Sequence, residues 1–395
     1  MSDVADNFEH HVDFDPAGDV EALLKAVPAK WAVYLFADEA GRPVQLLSVK
    51  NLRYSLKRRL GVEEAAAPDA AVPLSRRVNY RELVRHVYWT RVDSAFEADL
   101  VYLEAARACF PQTYQGMVGF RPAWFVHVNP DAAFPRYAKT TDLSLRTGRL
   151  IGPIDGKEQA QKLVQLVEDA FDLCRYYPVL VEAPRGRACA YKEMGKCPAP
   201  CDGTVSMDAY RQMVQLSVDT LVNPAPAVAA QTARMQQAAM DLAFESAGRV
   251  KQHVDQLSQL GKGAFRFAAD VRDFQFLSLQ RGPAAGEAKA FVVTPGRVQL
   301  VACVIDVPER PGDLLRTVLA TAAAHADAAV DLAGAERVGV VAHHLFSPKA
   351  VQGVFLRIAD VNERSFQKAY RDLLKQKATP ADEEGEGVMK ELQAM

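Results

Sequence analysis

The chain has 395 residues, 49% of them apolar and 24% charged, with a formal net charge of -2. That length exceeds one ordinary core, so roughly two to four folded domains are expected, and the composition is not that of a disordered chain. The near-neutral balance excludes a global pull toward nucleic acid or membrane, and no apolar run approaches a membrane span. The acidic start lacks the basic and apolar regions of a secretory signal, so a reducing, cytoplasmic setting is expected, where clustered cysteines serve metal or redox chemistry more often than disulfides.

In chain order, residues 1–20 read as a mobile acidic leader, with the His10–His11 pair assigned no role. A helix signal precedes two short apolar strands, Ala32–Phe36 and Pro43–Val49, with Asp38–Arg42 as a hairpin turn. A basic helix follows, carrying Lys50, Arg53, Lys57 and Arg58; Arg76, Arg77 and Arg81 come after a breaker-rich loop. Between Lys50 and Arg91 ten Lys/Arg face four Asp/Glu, which makes this stretch the candidate phosphate-facing, DNA-binding surface; a solvated basic face is the alternative.

The region 113–225 opens on a strand, "AWFVHV", and continues with a helix over "KEQAQKLVQLVEDAFDLC", whose apolar residues recur at helical spacing. A second helix is expected from Ser206, an N-cap. "PAPAVAA" reads as a linker, and 231–260 as a helical pair. One face of that pair holds Met235, Ala238, Ala239 and Leu242; another holds Ala247, Val250, Val254 and Leu257. Such a hairpin is too thin to bury its own apolar stripe, so a partner is expected. Beyond 263 the pattern predicts a hairpin around "TPGR", an Ala-rich helix, a strand over "RVGVVAHHLF", a closing helix, and an acidic tail from Ala378. On that strand His343 and His344 point to opposite faces and are poor joint ligands.

Four of the six cysteines, Cys174, Cys189, Cys197 and Cys201, follow the spacing C-x14-C-x7-C-x3-C. Soft thiolates so placed can close a tetrahedral Zn site or hold a [4Fe–4S] cluster. Gly195 permits an unusual backbone angle, and Pro198 and Pro200 are expected to hold "CPAPC" extended. The spacing departs from C-x2-C zinc knuckles and favours iron–sulfur, against the plainer reading of four buried small side chains. Cys109 and Cys303 stand alone in apolar runs and read as core.

"CAYKEMGKCPAPCDGTVSMDAYRQMVQLSVDTL" resembles the cysteine-rich segment of the UvrC family, the incising subunit of bacterial nucleotide excision repair. "ALLKAVPAKWAVYLFADEAGR" with "KNLRYSLKRRL" resembles the GIY-YIG nuclease domain of that family, and "RMQQAAMDLAFESAGRVKQHVDQL" its UVR motif, with Phe244 and Glu245 at the Phe-Glu pair. The resemblance spans about residues 21–260. It implies a [4Fe–4S] cluster on Cys174, Cys189, Cys197 and Cys201. It also implies a UvrB-like partner on the hairpin, through Met235, Leu242, Phe244, Glu245, Val250 and Val254, and damaged DNA as the wider target.

The fold expected is multidomain α/β (α+β). It comprises a leader at 1–20, a degenerate GIY-YIG-like domain at 21–112, a four-cysteine domain at 113–225, a UVR-like hairpin at 226–262, a C-terminal α/β domain at 263–376 and a tail at 377–395. Nuclease chemistry departs from the family pattern. Tyr34 matches the first catalytic tyrosine, but Gln45 stands at the second, Leu47 at the glycine and Ser48 at the lysine. Ser55 stands at the arginine and Tyr102 at the metal-binding glutamate, with Glu104 two positions on. An amide is no general base, and serines carry no charge to stabilise a phosphoryl transition state. The hairpin at 288–306 resembles the first strands of the family's second nuclease domain, an RNase H-like fold with three carboxylates, but Asp306 is the one candidate carboxylate and no set of three is evident. A non-incising accessory factor is therefore expected; a Cho-type endonuclease cutting from a rebuilt site, or a scaffold without a DNA role, are the alternatives.

Overall fold

The computed structural model describes residues 4–61, 79–119, 122–305, 311–325, 330–347 and 353–376. Arg76, Arg77, Asp306 and the acidic tail lie outside these residues. The architecture is mixed α/β, with three antiparallel four-stranded sheets among the described residues. Among the described residues no helix is long and apolar enough to cross a membrane.

The first sheet has the order β1-β4-β2-β3, built from β1 (His10–Asp13), β2 (Ala32–Ala37), β3 (Pro43–Val49) and β4 (His86–Arg91). Asp38 closes the β2–β3 turn by accepting from the Ala40 and Arg42 amides. Helices α1 (Val20–Ala26), α2 (Leu52–Leu60) and α3 (Tyr80–Leu83) belong to this module, as do α4 (Ala95–Cys109) and α5 (Tyr114–Met117). Alternation along β2 divides the core. Tyr34 and Phe36 pack with Leu52, Leu56 and Trp89 on one face, while Val33 and Leu35 pack with Ala98, Leu103 and Ala106 of α4 on the other. The leader expected to be mobile instead supplies the edge strand. His10 and His11 pair with Trp89 and Tyr88, and Phe14 is buried. The reason is local: "HHVDF" alternates, and β4 offers it an open edge.

The second sheet, β6-β5-β7-β8, is made of β5 (Trp124–Val128), β6 (Tyr137–Thr140), β7 (Arg149–Ile154) and β8 (Ala269–Asp270). It is covered by α6 (Lys157–Ala170) and α9 (Met207–Val222), with the short α7 (Tyr177–Leu180) and α8 (Ala190–Glu193) between them. Helices α10 (Pro224–Met240) and α11 (Phe244–Leu257) leave this module as a hairpin, and the chain returns to the same sheet through β8. "PAPAVAA" is thus helical and not a linker. Its prolines sit in the first turn, where their missing N–H groups cost nothing.

The third sheet, β11-β10-β9-β12, contains β9 (Phe276–Arg281), β10 (Glu287–Thr294), β11 (Arg297–Ile305) and β12 (Val354–Arg357). Helices α12 (Gly312–Ala324) and α14 (Glu363–Lys375) cover one face, and α13 (Leu332–Phe346) the other. The expected strand over "RVGVVAHHLF" is therefore corrected to helix α13. Val338, Val341 and Leu345 pack on the third sheet while Val340 packs into the first module's core. A helix buried from both sides loses its amphipathic period and reads like a buried strand. Its Gly334 meets Gly296 of the β10–β11 turn, where a Cβ would stand 2.7 Å from the Gly296 Cα. Cys303 is exposed, because β11 is a sheet edge, and is not core.

Candidate functional site

The cysteine segment hangs between α6 and α9. After α6 the chain turns through Asp172, at φ 51°, and reaches Cys174. The Cys174 amide donates to the Tyr210 hydroxyl of α9 at 3.0 Å, which fixes the strand of chain that carries the thiol. Cys189 stands half-buried at the head of α8. Gly195 turns the chain at φ 68°. "CPAPC" is not extended: Ala199 is left-handed at φ 56°, and Pro200–Asp202 form a 3-10 turn. That turn brings Cys201 inward, and its carbonyl accepts from the Gly186 amide at 2.8 Å.

Cys174, Cys197 and Cys201 are buried together. The neighbouring Cys174 thiol draws Cys197 below the ordinary thiol range, against the opposing effect of burial. Cys174, whose Sγ donates to the Tyr176 carbonyl at 3.6 Å, is pushed up by the Cys197 thiol and by burial. Cys201 is raised by burial first, then by Asp202 and Cys197. Cys174 and Cys197 act chiefly on each other, whereas Cys201 responds first to its burial and to Asp202. Among the described residues no group of three or more His, Cys, Asp or Glu side chains is already arranged as a metal cage. The donor set fits a soft metal in kind: buried thiols carried on turns.

The nuclease-like positions have a different character. Tyr34 is wholly buried, edge-on to Phe36 at 5.1 Å, and its hydroxyl lies 2.9 Å from Ser55 Oγ. Burial raises its phenol to about 12. Gln45 accepts from Arg59 at 3.0 Å, and Ser48 from the Trp31 indole at 3.4 Å. Tyr102 lies on α4, packed with the Val33 and Leu35 side of the sheet, so it and Tyr34 occupy opposite faces. Glu104 is held by Arg337 Nε at 2.6 Å and by Arg107. Of these six positions Tyr34 and Ser55 meet, whereas Tyr102 lies on the opposite face of the sheet and Glu104 is held by Arg337.

Several of the basic residues are structural ties. Arg53 donates twice to the Val27 carbonyl, at 2.8 and 3.1 Å, and Arg81 donates to the Leu60 and Pro16 carbonyls, at 2.8 and 2.6 Å. Lys57 is exposed, 4.0 Å from Glu21, and Arg58 is exposed. Lys50 lies just ahead of α2, before the Asn51 cap.

The hairpin is rooted by Leu257 and Leu260 in the middle core. Met235, Val250 and Val254 are half-buried along it, and Glu245 is exposed. Leu242 lies in the turn after α10 at φ 59°, not on a helical face. Met240, Leu242 and Phe244 are each about two-thirds exposed at the tip.

Sequence reading missed the joint between the first and third sheets. Lys289 Nζ reaches Asp93 at 2.7 Å and Glu97 at 2.6 Å; His344 meets Asp99 at 2.8 Å; and Tyr114 donates to Glu336 at 2.8 Å. Partners about 190 to 245 positions apart leave no local signal.

Residues 123–220 match the family model described as the UvrC/Cho excinuclease middle domain. All four cysteines of the segment fall within this domain. The chain is 23% identical over 278 residues to the UvrABC system protein C of Syntrophomonas wolfei, covering 70% of this chain and 44% of that protein. It is 22% identical over 283 residues to that of Caldanaerobacter subterraneus, covering 71% and 45%, and 24% over 227 residues to that of Trichlorobacter lovleyi, covering 57% and 36%. The chain therefore spans less than half the length of these curated UvrC relatives. No solved structure matches it at a significant level.

Proposed function

We propose that this protein is a UvrC-like accessory factor of nucleotide excision repair that associates with DNA or with a UvrB-like subunit and does not incise. The observation that carries the reading is Tyr34: the one residue at a family catalytic position is sealed in an apolar core, with a phenol at about 12. A protonated, buried phenol neither attacks phosphorus nor relays a proton at neutral pH, and the cation whose charge reaches it, Arg59, is engaged with Gln45. The relatives' names supply the UvrABC system as the setting.

In the same reading Cys174, Cys189, Cys197 and Cys201 hold a [4Fe–4S] cluster, with Zn as the alternative. When bound, such a group supplies metal–thiolate bonds that tie the loop to α6 and α9. The exposed apolar tip of the hairpin is the partner-binding surface, since large apolar groups gathered there are costly in water. Calorimetric titration with the C-terminal helical hairpin of UvrB tests this arm. Binding at a small, transient interface is expected, with Phe244→Ala weakening it by about 2 kcal/mol, roughly thirtyfold. No heat with the wild-type protein would make the arm an internal element and remove the UvrB association.

A further inference from the structure

The loops around the cysteines carry a second pattern. From Arg175 to Lys196 there are five Lys/Arg and two carboxylates, interleaved with Tyr176, Tyr177 and Tyr191. The rings are set in place. Arg175 is anchored by Asp169 and by the Lys196 carbonyl, and its guanidinium lies over Tyr191 at 4.6 Å. Tyr176 stands 5.7 Å from Tyr191, about half exposed. Arg136 lies over Tyr177 at 4.0 Å. Lys192 is neutralised by Asp202 at 2.6 Å, whereas Arg136, Arg185, Arg187 and Lys196 are exposed and form no ion pair among the described residues. The Gly186–Cys201 hydrogen bond holds the Arg185–Arg187 turn against the same loop.

We propose that this rim of the four-cysteine loop docks single-stranded DNA. Cations alone would accept any polyanion. An exposed tyrosine beside a second, guanidinium-braced ring offers something a duplex cannot use, a π-face on which an unstacked base can lie. The cations that keep no carboxylate partner supply the backbone neutralisation. The inference rests on the reading of this chain as a DNA-associated protein, and it gives that association a place and a strand form.

The test is fluorescence anisotropy of the full-length protein with a labelled oligothymidine of about 15 nucleotides and with a blunt duplex of the same length, across a salt series. The single strand is expected to bind more tightly. Tyr176→Ala should weaken it about tenfold, in the range of one lost base stack, while Tyr176→Phe should bind as the wild type does. The double variant Arg187→Ala/Lys196→Ala should flatten the plot of log affinity against log salt by about 1.4, two single-strand phosphate contacts. Circular dichroism of each variant checks folding, and the Tyr176→Phe protein keeps the comparison valid if the alanine variant unfolds. Equal affinity for duplex and single strand, or binding indifferent to Tyr176 in a folded variant, would overturn the proposal. The assay uses neither UvrB nor a lesion, so its failure alongside intact UvrB binding removes this surface alone.

Discussion

Phe96→Ala is expected to loosen two modules at once. Phe96 belongs to α4 of the first module by sequence, yet it lies fully buried in the core under the third sheet. Its ring is edge-on to Phe291 at 5.6 Å, His344 at 5.3 Å and Phe355 at 5.5 Å. Truncating a buried phenylalanine to alanine costs about 3–5 kcal/mol, from lost transfer energy and the cavity left behind. The upper part of that range is expected here, because β9, β10 and α13 are themselves held by packing on their other faces and cannot collapse into the space. Urea unfolding gives the total, and hydrogen exchange read by mass spectrometry gives its location. Protection should fall in the β9 and β10 peptides as well as in α4. A loss confined to α4, with the third sheet unchanged, would refute the claim that Phe96 joins the two modules.

Three other outcomes follow from the sites described. Anaerobically purified protein should carry about four irons per chain on the cysteine segment, and Cys197→Ser should lose them and lower the melting temperature of the middle module; stoichiometric zinc without iron would select the alternative metal. Glu168, raised by burial to about 7, holds a proton in the folded state that it loses in the unfolded chain near its ordinary value of 4.5. Stability should therefore fall as pH rises from about 4.5 to 7, and Glu168→Gln should remove that slope and melt higher than wild type at pH 8, as read by thermal denaturation. Tyr34→Phe deletes one hydrogen bond to Ser55 and should cost about 1 kcal/mol in urea unfolding, with no further effect on function.

What could be read in advance was what nearby residues decide. The β10–β11 hairpin, α6, α9 and α14 each carry their period within a single stretch, and α9 and α14 their caps as well, such as Ser206 accepting from the Ala209 amide. The cysteine spacing was legible for the same reason. What could not be read depends on distant partners. Helix α13 looked like a strand because two modules bury it from opposite sides. The first residues looked mobile because their stabilising edge, β4, comes some 75 positions later. Leu242 was assigned to a helical face because nothing in a run of good helix formers announces a turn through a left-handed leucine. Substitutions at the nuclease positions were visible, but the sealing of Tyr34 behind Phe36 and Trp89 needed the fold. The diversion of Arg53 and Arg81 to backbone carbonyls was hidden too, since their acceptors lie between 21 and 65 residues away.

The central claim is that the nuclease-like module does not cut. The measurement is incision of a lesion-containing duplex by the purified protein with UvrA and UvrB and either Mg²⁺ or Mn²⁺, scored on a denaturing gel beside the Tyr34→Phe and Glu104→Gln variants. No nick is predicted for any of the three proteins. A nick made by the wild type and lost in either variant would contradict the account, because it would mean that the phenol sealed in the core, or the carboxylate tied to Arg337, reaches a phosphate.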